Sequence, residues 1–197
     1  MSAPATRLAP LAPPYEAAVA EHLAKLMPPG QAPLALFRAV AHNPRVLGRL
    51  RRGGLLDPGS VTLRERELLI LRTTARLGSE YEWGVHVAFF AAAAGFTAEQ
   101  LEATVHGRAD DKRWSPDEQL LLAVCDALCA HAHVPDATFA ALAQRYQPAQ
   151  IVEIVALVGQ YHMVSFMIDA SALPLEPGAP RFPPPRFPPP RFPPPRV

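Results

Sequence analysis

Glu67, Glu82 and His86 are the residues of this chain whose types and spacing could do chemistry. A carboxylate beside an imidazole in an apolar cleft can donate, accept and relay a proton near neutral pH. The run Leu63 to Leu77 has helical spacing. At 100° per residue, Leu63, Ile70, Leu71 and Thr74 fall within about 60° of Glu67, with Leu68, Ala75 and Leu77 flanking them. Arg66, Arg72 and Arg76 fall on the other side. Glu67 therefore occupies the middle of the buried stripe, where an unpaired carboxylate is costly and has to be paired, protonated or part of a site.

The partner comes from SEYEWGVH, residues 79–86. Glu82 and His86 are four apart and share a helix face that continues into Phe89, Phe90 and Ala93. Gly78 makes a tight corner, so the helices on either side of it are expected to be antiparallel neighbours. Glu67 lies about 16 Å before that corner and His86 about 12 Å after it, close enough for contact or a water bridge. Two alternatives stand beside the catalytic reading. Ser79-x-x-Glu82 is a capping box, in which Glu82 would hold the helix start. Glu67 with His86 would equally make a buried structural pair. Tyr81, Trp83 and Phe90 are candidates for lining a substrate pocket, Tyr81 and Trp83 serving also for packing or subunit contact.

The elements that must position these residues are all helical. Helices are predicted over 15–27, Leu34–Val40, Pro44–Leu50, 62–77 and 79–94. A short one starts at Thr97, and others span 115 to Ala130 or His131, Asp136–Tyr146 and Pro148 to about Ser171. Thr62-x-x-Glu65 and Ser115-Pro116-Asp117-Glu118 are N-terminal capping patterns, and residues 106–114 form a polar loop. The expected organisation is a flexible arm over 1–14, one all-α domain over 15–177 and a Pro-rich disordered tail over 178–197. Three Arg-Phe-Pro-Pro-Pro units begin at Arg181. Such a tail favours polyproline II and suits a proline-recognition partner, although a simple disordered tail or an expanded repeat without function fits as well.

Bulk properties narrow the partners. Of 197 residues, 49% are apolar and the net charge is +1, which supports one sizeable core and argues against a nucleic-acid surface. The cluster Arg49, Arg51, Arg52 reads as a solvated helix end. No apolar run is read as membrane-spanning, and the proline-broken N-terminus lacks a signal-peptide core, so no membrane partner and a cytoplasmic location are expected. Cys125 and Cys129 are four apart on one helix face, too widely spaced for an easy disulfide, and read as small buried hydrophobes. With His131 and His133 they match no common zinc spacing, so no metal is expected.

At its central hairpin the chain resembles the carboxymuconolactone decarboxylase / alkylhydroperoxidase D superfamily. The likeness rests on LRERELLILRTTARLGSEYEWGVHVAFFAAAAGFTAEQLEA, roughly residues 62–103, and on QIVEIVALVGQYHMVSFMIDA, which is similar to the last helix of members without cysteines. It extends from about residue 30 to 177. The resemblance implies a compact all-α, alkylhydroperoxidase D-like fold with a cleft lined by this hairpin. The peroxidase branch carries Glu followed by Cys-x-x-Cys-x-x-x-His. Glu67 and His86 fall on its Glu and His, while Ser79 and Glu82 occupy the two cysteine positions. Peroxidase chemistry of that kind needs a thiolate and a resolving thiol, which Ser and Glu cannot supply. The lactone decarboxylase branch is similar in carrying a Glu and a His four apart, matched by Glu82 and His86.

The leading expectation is a cofactor-free acid–base enzyme, lyase-like, acting on a small organic acid, lactone or related molecule. His86 would be the acid/base, Glu67 its orienting partner and Glu82 the second carboxyl group. The alternatives are an antioxidant protein of alkylhydroperoxidase type that has lost its CxxC, and a non-catalytic assembly protein whose tail binds a partner. The helix carrying Tyr81, Trp83, Val85, Val87, Phe89 and Phe90 is apolar nearly all round. That pattern and the resemblance predict a homo-oligomer, dimer to hexamer.

Overall fold

A computed structural model describes residues 6–184, and these contain nine α-helices and no strand. They are α1 (Ala17–Ala24), α2 (Ala35–Val40), α3 (Pro44–Arg52), α4 (Leu63–Arg76), α5 (Glu80–Phe90), α6 (Ala98–His106), α7 (Pro116–His131), α8 (Asp136–Arg145) and α9 (Pro148–Ser171). The expected caps form. Thr62 accepts from the Glu65 amide, and the Glu65 carboxylate reaches back to the Thr62 amide at 2.8 Å. Thr97 with Gln100 and Ser115 with Glu118 repeat the arrangement. These reciprocal bonds satisfy N–H groups that a helix start leaves unpaired. Gly78, at φ +69°, takes the left-handed conformation that turns α4 into α5.

The second hairpin helix is shorter than its sequence pattern suggests. α5 ends at Phe90 rather than Ala94, and the turn that follows presents the carbonyls of Ala94 (3.1 Å) and Gly95 (2.9 Å) to Arg64. Those carbonyls are thereby satisfied in a turn instead of a further helical turn.

α4 is the central element, packed on α5, α6, α7 and α9. All nine residues from Arg66 to Thr74 are buried. The two arginines assigned to the solvent side, Arg66 and Arg72, are buried with them. A helical-wheel reading assumes one wet face, and a helix surrounded by others has none.

Two apolar cores result. One joins α4 with α6, α7, α8 and the first half of α9, through Leu68, Leu69, Leu121, Leu122, Ile154 and Leu157. The other joins α1–α3 with Tyr81 and Val85 of α5 and with Val164 and Ile168 from the second half of α9. α9 exceeds the sequence expectation. By length and composition it could cross a membrane, with a mean hydropathy of 1.7, a property shared by core helices of this kind. Its inner face supplies both cores, and Val152, Val155, Met163 and Phe166 remain exposed on the outer one.

The described parts of the arm and tail lie on the domain. The amides of Arg7 and Leu8 donate to the Ser171 carbonyl, and Leu11 N–H donates to Arg38 O at 3.1 Å. Glu176 accepts from the Tyr81 hydroxyl and the Ala35 amide. Flexibility had been expected from proline content; extended backbone instead finds unpaired donors and acceptors on α2, α5 and α9. Most of the expected disordered tail, from residue 185 on, and residues 1–5 of the arm lie outside the described residues.

Candidate active site

α4 and α5 bring Glu67, Glu82 and His86 together. The Glu67 side chain is fully buried and its Oε2 lies 2.7 Å from His86 Nδ1. The other ring nitrogen, Nε2, lies 3.5 Å from Glu82 Oε1. Arg66, next in chain to Glu67, grips Glu67 Oε1 through Nε (2.9 Å) and Nη2 (2.8 Å) and donates through Nη1 to the Leu56 carbonyl. Two carboxylates, one guanidinium and one imidazole thus form a buried quartet whose charges cancel when the imidazole is protonated. Such balance is what makes burial of charge tolerable.

Rings close around this polar knot. Phe90 lies 5.3 Å from the His86 ring, and its face receives the Arg66 guanidinium at 5.3 Å. Tyr161 of α9 meets His86 edge-on at 4.9 Å. Burial, followed by the charges of Glu82 and Glu67, pushes the Tyr161 hydroxyl well above its usual range, so it stays protonated.

Glu82 does not cap α5. Ser79 stands at the N-cap without a side-chain capping bond, and Glu82 turns inward to His86 instead. Glu82 Oε2 and Ser79 Oγ are buried with no hydrogen-bond partner among the described residues, and so is Ser165 Oγ. Ser165 follows Tyr161 by one helical turn and shares the face that Tyr161 turns to His86. Unpaired buried oxygens are expensive, and a ligand offering donors would satisfy them.

His86 is set up as an acid. Burial works most strongly against the imidazolium. The hydrogen bonds that the ring donates to Glu67 and Glu82, with the charges of both, outweigh it and raise the group from 6.5 to about 9. The folded protein therefore holds this proton more tightly than the unfolded chain. The resulting stability is complete below about pH 6.5 and disappears as pH rises through about 9. Its size is on the order of 3 kcal/mol. Thermal melts across that window are expected to show a falling Tm that flattens in His86→Asn; an unchanged slope in the variant would assign the dependence to other groups.

The pocket candidates separate. Phe90 is at the site. Tyr81 faces α2, where its hydroxyl accepts from the Leu36 amide at 3.1 Å. Trp83 faces α6, its indole donating to Thr104 Oγ1 at 3.0 Å. Their side-chain hydrogen bonds go to Leu36, Glu176 and Thr104 rather than to the quartet. Arg66 and Tyr161 are the site residues that the sequence reading missed. Only Arg66 carried a usable signal, as the charge directly beside a carboxylate that needed a partner.

The cysteines lie elsewhere, on α7 against α4. Cys125 Sγ is 3.2 Å from Thr73 Oγ1 and 3.9 Å from Cys129 Sγ. Burial pushes the Cys125 thiol up, while the hydrogen bond from Cys125 lowers Cys129. His131 and His133 are exposed, and among the described residues no three metal-binding side chains converge. A surface cavity of about 340 Å³, lined by Arg72, Arg76, Arg108, Asp110 and Asp126, also lies apart from the quartet.

Residues 44–127 match the model of the carboxymuconolactone decarboxylase family. No curated protein matches the chain in sequence. Among solved structures, an uncharacterized peroxidase-related protein from Silicibacter sp. TM1040 superimposes with a TM-score of 0.75 at 17% identity, covering 87% of this chain and 92% of that one. An alkylhydroperoxidase AhpD core protein from Ralstonia eutropha JMP134 gives 0.73 at 16% identity, covering 86% and 93%. The debrominase Bmp8, in complex with 2,3,4-tribromopyrrole, gives 0.73 at 14% identity, covering 89% and 95%. At such identities these structures share the fold.

Proposed function

We propose that this chain, whose residues 44–127 match the carboxymuconolactone decarboxylase family model and whose fold is that of alkylhydroperoxidase D-like structures, is a cofactor-free acid–base enzyme acting on a small organic acid, lactone or related molecule. One observation carries the reading: Glu82 Oε2 is buried and unpartnered beside a His86 that holds its proton at neutral pH. Glu82 removes a proton from carbon, and His86 Nε2–H donates one to the developing enolate or to a leaving oxygen. Glu67, clamped by Arg66, fixes the imidazole and stabilises its charge. The apolar walls of Phe90 and Tyr161 suit a small ring, and a debrominase of this fold is known in complex with one.

The test is exchange of carbon-bound hydrogen for deuterium, followed by NMR across a panel of small lactones and keto acids. Exchange that disappears in Glu82→Gln supports the proposal. No exchange above buffer with any member of the panel would remove it.

A second reading, thiol-dependent peroxidase activity, draws on the 3.9 Å contact between Cys125 and Cys129. A peroxidatic thiol must be an accessible thiolate; Cys125 is buried and held protonated, which leaves the half-buried Cys129, lowered by its hydrogen bond from Cys125, as the thiol for that role. On the acid–base reading, replacing both cysteines by Ala is expected to leave turnover near wild type and to cost about 1 kcal/mol per site in packing. Peroxide consumption with a dithiol reductant that vanishes in the folded double variant would install the second reading instead.

A further inference from the structure

The first Arg-Phe-Pro unit of the tail is seated in a groove between the start of α5 and the end of α6. The Phe182 amide donates to Glu80 Oε1 at 2.9 Å, and the Arg181 guanidinium lies 3.5 Å from Glu80 Oε2. The Phe182 ring meets Trp83 edge-on, centroids 5.4 Å apart. His106 Nε2 bonds the Pro183 carbonyl at 2.6 Å. At the floor lies Gly84, where a Cβ would overlap the Pro180 carbonyl oxygen. Glycine inside a helix is less stable than alanine, and the atoms that a Cβ here would meet first all belong to Ala179 and Pro180. Each part of the unit thus meets a matched group: cation to carboxylate, ring to indole, carbonyl to imidazole, backbone to glycine.

The chain carries three such units, beginning at Arg181, Arg186 and Arg191, for one groove. Thirteen residues follow Pro184, a chain length whose fully extended reach is about 40 Å, enough to meet a neighbouring molecule. We propose that this α5–α6 groove is a binding site for the Arg-Phe-Pro unit and that a tail unit from a second copy of the chain takes the place of the one bound in cis. Tethering favours the cis unit when dilute, and exchange grows with concentration. Glu80 and Gly84 lie more than 100° around α5 from Glu82 and His86, so the proposal stands independently of the acid–base reading.

Two full-length variants test it. Gly84→Ala closes the groove and keeps the tail; alanine favours the helix, so folding is retained. The triple variant Phe182→Ala, Phe187→Ala, Phe192→Ala silences the tail and keeps the groove. One is labelled with a donor dye and the other with an acceptor. Mixed at high micromolar concentration, they are expected to give energy transfer roughly threefold above a mixture of two Gly84→Ala chains, and excess peptide of sequence RFPPPRFPPP is expected to abolish the difference. Equal transfer in the two mixtures overturns exchange between copies. Trypsin tests the seat itself: cleavage after Arg181 is expected to be about tenfold faster in Gly84→Ala than in wild type, as the open population rises. An unchanged rate overturns the groove as the holder of the unit.

Discussion

Replacing His86 by Asn is expected to lower turnover by about 10²-fold or more in a protein that still folds. Asn keeps part of the hydrogen bonding and cannot carry a proton near neutral pH. Glu67→Gln is expected to fall by a similar factor, because Glu67 Oε2, 2.7 Å from Nδ1, sets both the orientation and the charge of the ring. The double variant should lose little beyond either single one, since residues that act as a unit share one transition state. Exchange or turnover assays on the three variants, each normalised to its folded fraction, check this. A merely structural pair gives the reverse pattern: a loss of 3–5 kcal/mol for a broken buried pair, with activity intact in the folded fraction. An active but destabilised His86→Asn would end the catalytic assignment.

The largest loss of stability is expected at Arg72. This side chain is 1% exposed and donates from all three of its nitrogens. Nε and Nη2 each lie 2.7 Å from an oxygen of Asp126, and Nη1 donates to the carbonyls of Thr104 and Gly107 at 3.0 Å and more distantly to Ala103. One guanidinium therefore ties α4 to α7 and terminates α6, whose last carbonyls have no helical partner. Arg72→Met keeps the volume and strands the carbonyls, and it leaves Asp126 with only Arg76, 3.3 Å away, as partner. The expected cost is 3–5 kcal/mol, or about 10 °C in Tm for a domain of this size. Arg72→Lys is expected to recover little, because an ammonium cannot bond a carboxylate twice and three carbonyls at once. Denaturant unfolding and calorimetry decide it. A cost below about 1 kcal/mol would show that the packing of α4 on α7 holds without this anchor.

The hairpin at the heart of the site was legible because its cues are local. Thr62, Gly78 and Ser79 mark the helix ends, and Glu67 stands out as a carboxylate inside an apolar stripe. Its distance from the corner then selects His86 as a neighbour. What escaped is non-local. Tyr161 comes from α9, and no periodicity in α5 announces which face α9 will present to it. Arg66 and Arg72 were assigned to solvent by a wheel that assumes a wet side, and burial on all sides of α4 is a property of the assembled bundle. Tyr81 lies five positions before His86, about 140° around the helix, so its aromatic character said nothing of the site. Gly84 drew no expectation from the sequence, because the Pro180 carbonyl that lies against it comes from almost a hundred residues further along the chain.

α9 belongs to both apolar cores, its first half to one and its second half to the other. His86 touches it at Tyr161, where the two meet. A joint of this kind is where a bundle breathes. Sub-global opening that loosens the α1–α3 side while α4, α7 and the first half of α9 stay closed should be cheaper than global unfolding. Amide hydrogens on either side of Tyr161 would then exchange with two different free energies. Since Glu67 and His86 are sealed from solvent, a substrate reaches them only during such an excursion. On the proposed acid–base reading, the frequency of that opening is an upper bound on turnover, and it is set by the packing of Val164 and Ile168, residues with no chemistry of their own.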